Sequence, residues 1–268
     1  MIPIRVWLEK YSAISKFMGY SIERDREATR MLSETLRATH IDPPLDDLRR
    51  LLFDRPAMIF GAGPSLDETI DELMDALPGF PDKFTLISAD GATQALTERR
   101  KIPHIIVTDL DGDLDSLLYA AANGSILVIH AHGDNMDKMR LYMSSIISET
   151  RLIIGTTQVE PLPPLQNFGG FTDGDRAVFL AHSYGAKPIV LIGMDFGDII
   201  GRRSKPWLRN DTPAWGDKLK KLKVAYDLVS WLSTCFNAEI YTLSEIVPPG
   251  VKRVNVRVLS QMIGGCEP

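Results

Sequence analysis

The sequence predicts an α/β fold, a doubly wound and mostly parallel sheet of the Rossmann-like kind, preceded by a helical N-terminal extension. Short apolar runs without polar alternation occupy residues 57–60, 84–88, 105–107, 126–129, 152–154 and 188–192. Such runs are typical of strands covered on both faces, and the amphipathic segments between them can form crossover helices. Small and acidic residues follow nearly every run, at the positions where sheets of this kind bind ligands.

Length and composition limit the class of protein. The chain has 268 residues, 44% of them hydrophobic, and a formal net charge of −5. The size suits one substantial core, and the negative charge argues against non-specific binding along nucleic acid. Cys235 and Cys266 are too few for a disulfide framework, and no apolar run approaches the roughly 20 residues that span a bilayer. We therefore expect a cytoplasmic protein with neither nucleic acid nor membrane as a partner.

Three regions are predicted along the chain. Residues 1–53 alternate apolar and charged positions as helices do, with a break at Pro43 and Pro44. Residues 54–245 form the α/β domain, and residues 246–268 form a C-terminal tail. We expect the extension to pack on the main domain or on a second subunit of a homo-oligomer, with little chemistry of its own.

The first strand leads into the turn Gly61-Ala62-Gly63-Pro64-Ser65, which opens a helix over residues 66–77. Backbone amides at the start of a helix can bind an anion, so Gly61, Gly63 and Ser65 are candidate phosphate-binding residues. The turn lacks the lysine of a Walker A loop and the third glycine of a dinucleotide fingerprint. A tight strand-to-helix turn with Ser65 as N-cap explains the same residues equally well.

Aspartates follow the second and third strands. Asp90 stands in Ala89-Asp90-Gly91-Ala92, and aspartates occupy positions 109, 111, 113 and 115 after the third run. In an extended chain Asp109 and Asp111 would point the same way, and two adjacent carboxylates favour a cation between them. The sequence therefore predicts a Mg²⁺ site. The spacing does not fit an EF-hand, which needs glycine and glutamate at later positions where this chain has neither. Asp113 or Asp115 could instead cap the helix that begins near residue 114.

The fourth strand is followed by His130-Ala131-His132-Gly133-Asp134-Asn135. A zinc site here would need aspartates as further ligands, because the chain has only five histidines and no cysteine nearby. Hydrogen bonding to phosphate, or packing at the strand end, is the favoured interpretation for the histidines. Asp134 is a candidate additional carboxylate on the magnesium side.

Residues 167–177 form a candidate recognition loop. Two glycines allow close approach to a ligand, Thr172 or Asp173 can cap the helix that runs to about residue 184, and Phe168 and Phe171 could flank a flat ring. A glycine turn with an ordinary N-cap and two core phenylalanines is the alternative. The candidate ligand-binding residues of the loop are Asn167, Gly170, Thr172, Asp173 and Asp175.

Residues 201–223 carry eight lysines and arginines with Trp207 and Trp215 among them. We interpret the segment as a lid that neutralises polyphosphate, with Lys221 as a candidate nucleotide-binding residue; a solvated loop and helix face is the alternative.

The order and spacing of these motifs resemble the archaeal 6-hydroxymethyl-7,8-dihydropterin diphosphokinase family. The resemblance is carried by residues 61–66, 89–92, 108–112, 132–135 and 170–177, and extends more loosely to residue 232. It implies that residues 54–245 are a nucleotide-binding catalytic domain. The implied reaction is transfer of diphosphate from ATP to the hydroxymethyl group of a dihydropterin, with release of AMP, in the making of folate-like or methanopterin-like coenzymes.

The resemblance also implies roles for residues. Asp109 and Asp111 would hold Mg²⁺, and Asp90 and Asp134 would assist or orient metal-bound water. The turn at 61–65 would cradle phosphate, and the polar residues of the 167–177 loop would position the pterin or nucleotide edge.

Other functions remain open from the sequence. Thiamine diphosphokinase has a similar Gly-Asp-x-Asp-Ser element, but Gly112 stands here where that enzyme has serine. An aspartate pair can also bind the metal of a sugar nucleotide, as in a glycosyltransferase-like protein. A non-catalytic nucleotide-binding module that contacts a partner through its N-terminal helices is the third alternative.

Overall fold

The computed structural model describes residues 2–77, 79–80 and 82–264. Its helices are α1 (Ile4–Met18), α2 (Ile22–Ala38), α3 (Leu45–Leu52), α4 (Leu66–Ala76), α5 (Ala92–Glu98), α6 (Leu114–Ala122), α7 (Met136–Glu149), α8 (Asp173–Ser183), α9 (Gly216–Cys235) and α10 (Val256–Gly264). Its strands are β1 (Ala57–Phe60), β2 (Thr85–Ala89), β3 (Ile105–Thr108), β4 (Ile126–Ala131), β5 (Ile153–Thr157), β6 (Ile189–Ile192), β7 (Ile199–Ile200), β8 (Thr212–Pro213), β9 (Ile240–Thr242) and β10 (Lys252–Arg253).

The main sheet confirms the predicted α/β fold. Within the described residues it has eight strands in the order β10-β9-β6-β1-β2-β3-β4-β5, and every pairing is parallel. The chain moves outwards from β1 to β5 on one side, then continues on the other side through β6, β9 and β10. The direction reverses between β1 and β6, and ligands bind beyond the carboxyl ends of the strands at such a reversal.

Both faces of the sheet are covered, which explains why the strands are continuously apolar. In β1, Ile59 packs into the apolar cluster on one face, while Met58 and Phe60 pack into the cluster on the other. Alternate side chains of a strand point to opposite faces, so each position must be apolar when helices lie on both sides.

The N-terminal helices pack on the main domain, one of the two positions that we expected. Trp7 and Tyr11 of α1 are buried, and the Trp7 ring contacts Phe179 of α8 with centroids 5.9 Å apart. The Trp7 indole N–H also donates to the backbone oxygen of Gln158 at 3.0 Å. These contacts join α1 to the segment that follows β5.

Beyond residue 245 the chain adds β10 to the sheet edge and α10 to its surface, where Leu259 is buried in the same cluster as Leu66. Cys266 and the end of the predicted tail lie outside the described residues, and the division into three regions stays a prediction. In the described part of the chain, no helix combines the length and apolar character that crossing a membrane requires.

Candidate active site

A cavity of about 170 Å³ opens at the carboxyl ends of the central strands. Its walls carry both signs of charge. The acidic side chains that line it are Asp90, Asp109, Asp111, Asp173 and Asp195, and the basic ones are Arg176, Lys205, Lys218 and Lys221. The sequence motifs after β1, β2, β3 and β6 therefore meet at one site, as the parallel sheet predicts.

Three carboxylates from separate elements meet in this cavity. Asp90 follows β2, Asp109 follows β3 and Asp173 is the first residue of α8. Each offers one oxygen, and these oxygens all lie within 4.8 Å of one another. Of these three, the sequence predicted Asp109 as a metal ligand, Asp90 only as an assisting residue and Asp173 only as a contact to the substrate.

Asp109 is held by His132. The His132 Nε2 lies 3.1 Å from Asp109 Oδ2, and the backbone N–H of Asp134 donates to His132 Nδ1 at 3.2 Å. Because Nδ1 accepts, the neutral ring carries its proton on Nε2 and donates it to Asp109. The other oxygen, Asp109 Oδ1, is buried without a hydrogen-bond partner among the described residues.

The three carboxylates shift one another's pKa values, because they are buried close together. Burial and the Asp109 charge raise the pKa of Asp90 to about 7, and the same two causes raise the pKa of Asp173 well above its ordinary value. Burial also acts to raise the pKa of Asp109, but the hydrogen bond from His132 and nearby positive charges outweigh it and hold that pKa far below its usual range. Crowded carboxylates with one unpartnered oxygen fit a hard divalent cation.

Asp111 lies at the cavity but outside this cluster. Its carboxylate pairs with Lys205 and lies 3.7 Å from Lys138 Nζ, while its backbone N–H donates to Asp90 Oδ2 at 3.0 Å. The extended conformation that we expected for residues 109–111 is wrong, because Leu110 has a left-handed backbone with φ of 66°. The chain turns there, so the alternation of a strand no longer applies. A metal-binding role for Asp111 stays a prediction.

Gly112 lets this turn approach Asp90. A Cβ atom at position 112 would lie 2.8 Å from the carboxyl carbon of Asp90. That separation is too short for two carbon atoms that are not bonded. Any larger residue would therefore displace the Asp90 carboxylate or the turn itself.

The glycine turn after β1 uses its own donors within the protein. The N–H groups of Gly61 and Gly63 donate to carbonyls at the end of β6, at 2.8 Å each. Ser65 donates to Asp195 through both its backbone N–H, at 2.9 Å, and its hydroxyl, at 2.6 Å. Its side chain therefore does not cap α4. The predicted phosphate contacts of the turn stay untested, and these particular amides are already engaged.

The 167–177 loop is divided between a cavity wall and its support. Phe171, Thr172 and Asp173 line the cavity. Asp175 is fully buried and accepts from the N–H groups of Phe171 and Thr172, at 2.6 Å and 2.8 Å, completing a capping box with Thr172. Its carboxylate therefore fixes the backbone of the loop and does not line the cavity.

Two other candidates of this loop also hold its backbone. The Asn167 amide donates to the Val159 carbonyl at 2.7 Å, and its oxygen accepts from Gly169 N–H at 3.0 Å. Gly170 has φ of 88°, and a Cβ atom there would lie 2.7 Å from the backbone nitrogen of Arg176. Phe168 packs on Tyr184, away from the main cavity.

His130 and Asp134 do not line the main cavity. His130 is buried with Nδ1 3.1 Å from the Thr156 hydroxyl, and burial together with the Arg176 charge holds its pKa well below the usual value. The Asp134 side chain is exposed, and only its backbone contacts His132. Histidine takes no part in the potential metal cluster found among the described residues.

The basic segment separates into two parts. Arg202 and Arg203 form ion pairs with Asp67 of α4 at 2.9 Å and 3.0 Å, which hold the segment against the main domain. Lys205, together with Lys218 and Lys221 of α9, lines the cavity instead. Burial lowers the pKa of Lys205 and of Lys218. Whether the segment moves as a lid stays a prediction.

Several lining residues were not identified from the sequence. Arg176 donates to Asp173 at 2.9 Å and to Gln158 at 3.2 Å, and its place three residues after Asp173 on a predicted helix was an available signal. Tyr20 also lines the cavity, although it lies between α1 and α2 in the N-terminal extension. No local pattern marks it.

The fold and site define an α/β protein with a cavity rich in carboxylates and lysines at the switch point of a parallel sheet. The chain belongs to the MptE-like family of 6-hydroxymethylpterin diphosphokinases, whose model matches residues 30–201. This confirms the family resemblance and the enzyme class, a diphosphokinase, that the sequence predicted.

Curated relatives carry a matching name. A 6-hydroxymethyl-7,8-dihydropterin pyrophosphokinase from Pyrococcus furiosus is 47% identical, over 89% of this chain and 97% of the relative. One of the same name from Methanothermobacter thermautotrophicus is 41% identical, over 86% and 95%. Among solved structures, the MAf glycosyltransferase of Magnetospirillum magneticum AMB-1 matches 79% of this chain and 37% of its own, with 13% identity and a TM-score of 0.49. That likeness is too weak to carry an argument.

Proposed function

We propose that this protein transfers diphosphate from ATP to the hydroxymethyl group of 6-hydroxymethyl-7,8-dihydropterin, with Mg²⁺ as cofactor and AMP as the second product. The names of its relatives support the acceptor. The observation that carries the proposal is the meeting of Asp90, Asp109 and Asp173 in one cavity with the lysines. The place of the reaction would be the biosynthesis of a folate-type or methanopterin-type coenzyme.

The reaction sets clear demands on the site. The hydroxymethyl oxygen forms a bond to the β-phosphorus of ATP, and the bond from that phosphorus to the oxygen bridging to the α-phosphate breaks. AMP leaves with the bridging oxygen and its electron pair, and the hydroxyl proton is released. Such a transfer needs neutralised phosphate charge and an acceptor oxygen held in line.

The carboxylate cluster fits the cofactor. Asp90, Asp109 and Asp173 would hold Mg²⁺, because their oxygens converge and Asp109 Oδ1 lacks a partner among the described residues. When bound, the ion supplies neutralisation of charge on adjacent phosphates. His132 orients Asp109 by its hydrogen bond, and Arg176 orients Asp173 by its ion pair.

The lysines would complete the phosphate site. Lys205, Lys218 and Lys221 line the cavity that holds the carboxylates. Ammonium groups bind phosphate oxygens as point charges and stabilise charge that develops on them. In this proposal the cavity would bind a metal-bound triphosphate, with the carboxylates on the metal and the lysines on the phosphates.

The turn at Gly112 gives no support to thiamine as the acceptor. A serine, as in the thiamine enzyme, would bring its Cβ against the Asp90 carboxylate. The residues that line the cavity do not favour a sugar nucleotide over ATP. The glycosyltransferase-like alternative predicts that no AMP is released in the assay described next.

The test is an assay of AMP release by the purified protein. ATP and MgCl₂ are incubated with a panel of pterin alcohols, thiamine and simple sugars, and AMP is quantified by chromatography. We expect AMP and a pterin diphosphate in equal amounts, and loss of both when EDTA replaces the metal. AMP formed with thiamine alone, or none with any acceptor, would contradict the proposal.

A further inference from the structure

We propose that the pterin ring binds against Tyr20 and Phe171, so that the N-terminal helical extension forms part of the acceptor site. The inference rests on the proposed function and deepens it, since it states which wall of the cavity recognises the acceptor.

Tyr20 reaches the cavity because α1 ends just before it. Gly19 has φ of 74°, a left-handed conformation that suits glycine and terminates the helix. The Tyr20 N–H then donates to the Ser15 carbonyl at 2.9 Å. Apart from the two chain neighbours, no atom of the described residues lies within 4 Å of a Cβ built on Gly19, so glycine serves the turn and not the packing.

Two aromatic rings and a cation form one wall of the cavity. The centroids of Tyr20 and Phe171 are 6.0 Å apart, and Lys221 Nζ lies 5.7 Å from the centroid of Tyr20. All three residues line the cavity. Aromatic faces of this kind stack on flat heterocycles, which every pterin contains.

The turn that carries Tyr20 is fixed to the loop that carries His132. The Arg24 guanidinium donates to the Gly133 carbonyl at 2.9 Å, and the Gly133 N–H donates to Asp25 Oδ1 at 2.9 Å. A Cβ atom on Gly133 would lie 2.7 Å from Arg24 Cβ, so the two segments approach as closely as glycine allows. These contacts fix the position of the segment that carries Tyr20 relative to the loop that carries His132.

The distance between the ring and the reacting atom in each substrate indicates which ring would bind at the aromatic wall. Phe171 is two residues from Asp173 of the carboxylate cluster, so the aromatic wall adjoins the proposed metal site. In the pterin alcohol, one carbon separates the ring from the reacting oxygen. In ATP, the ribose and the α-phosphate separate the adenine ring from the β-phosphorus. A ring beside the carboxylates is therefore the ring of the acceptor.

The contribution of Tyr20 is its ring. Its hydroxyl makes no hydrogen bond to the described residues, and the side chain is partly buried. Replacement by phenylalanine keeps the stacking face. Replacement by leucine keeps apolar volume and removes that face.

The experiment compares Tyr20→Leu and Tyr20→Phe with the wild-type protein in the AMP assay. Tyr20→Leu should raise KM for the pterin alcohol about tenfold, because stacking on an aromatic ring is lost, with KM for ATP unchanged. Tyr20→Phe should stay within about twofold of the wild type. Phe17→Leu is the matched control, since Phe17 is an aromatic residue of α1 that is 55% exposed and outside the cavity.

The outcomes separate this inference from the proposed function. A wild-type protein that makes AMP normally, with a Tyr20→Leu variant of unchanged KM for the pterin, overturns the inference alone. A rise in KM for ATP in place of the pterin also overturns it, because the wall would then bind adenine. If the wild type makes no AMP with any pterin alcohol, the proposed function fails and the inference fails with it. Quenching of pterin fluorescence on binding gives an independent readout in each variant.

Discussion

His132 Nε2 donates to Asp109 Oδ2 at 3.1 Å, while Asp109 Oδ1 lies buried and has no partner among the described residues. One oxygen is therefore fixed by the protein, and we propose that the other binds the metal ion. The Asp134 N–H sets the tautomer by donating to His132 Nδ1. The loop after β4 thus acts on the site through a histidine and a backbone amide, and not through the exposed Asp134 carboxylate.

This relationship predicts that His132 positions Asp109. His132→Ala should raise the Mg²⁺ concentration needed for half-maximal AMP formation by roughly 10- to 100-fold, as loss of a residue that orients a metal ligand commonly does. His132→Gln, which can still donate, should recover part of the loss. His40→Asn, at an exposed histidine far along the chain, is the control. An unchanged Mg²⁺ requirement in His132→Ala would show that Asp109 needs no such support.

Lys205 is predicted to bind phosphate. Lys205→Met removes the charge that now pairs with Asp111, and kcat/KM for ATP should fall roughly 10- to 100-fold, since a charge-assisted hydrogen bond is lost. Lys223→Met should behave like the wild type, because Lys223 is 70% exposed and, within the part of the chain that the structure describes, forms an ion pair with Asp227 alone. Equal kinetic effects of the two substitutions would mean that net charge, and not position, explains the result.

Gly112 is predicted to be required for the shape of the Asp90 site. Gly112→Ala should reduce AMP formation more than about tenfold, and should cost about 1–3 kcal/mol of unfolding free energy, because the new Cβ overlaps the Asp90 carboxylate. Gly216→Ala is the matched control, since a Cβ at that position contacts no other segment among the described residues. Urea denaturation and the AMP assay measure the two effects. Normal activity in Gly112→Ala would place Asp90 outside the working site.

Asp67 gives a pH dependence of stability. Burial acts to raise its pKa, but hydrogen bonds from Arg203, Arg202 and Arg99 outweigh it and lower the pKa to about 2. A carboxylate with a lowered pKa stabilises the fold above its unfolded pKa, and this contribution disappears as the pH falls through the folded pKa. The unfolding free energies of wild type and Asp67→Asn should therefore converge as the pH is lowered from about 5 towards about 2. A difference that does not vary with pH would show that the arginines do not act on the Asp67 charge.

The fold was predictable because its strands are covered on both faces. Runs such as residues 57–60 and 105–107 are apolar at every position, and helices of opposite faces pack on alternate residues. The carboxyl ends of parallel strands share one edge, so Asp90 and Asp109 could be expected at one site. The predicted ends of these six strands differ from the observed ends by up to three residues. The error arises because only local sequence patterns mark where a strand ends.

The rest of the site depends on geometry that no local pattern encodes. Leucine rarely adopts a left-handed backbone, yet Leu110 does, which turns Asp111 away from the predicted pairing with Asp109. Asp173 joins the cluster only because α8 begins at the edge of the cavity. Tyr20 meets Phe171 across about 150 residues of sequence, through packing of the whole N-terminal extension.

The most direct test of the central claim is AMP release by Asp109→Asn. The change removes a charge from the carboxylate cluster with little change in shape, and it should lower kcat with ATP, Mg²⁺ and the pterin alcohol by at least about 1,000-fold. Asp115→Asn, an exposed position of the same aspartate run, should keep the wild-type rate. Both variants should unfold at a urea concentration close to that of the wild type. Near-normal AMP release by a folded Asp109→Asn protein would contradict the account.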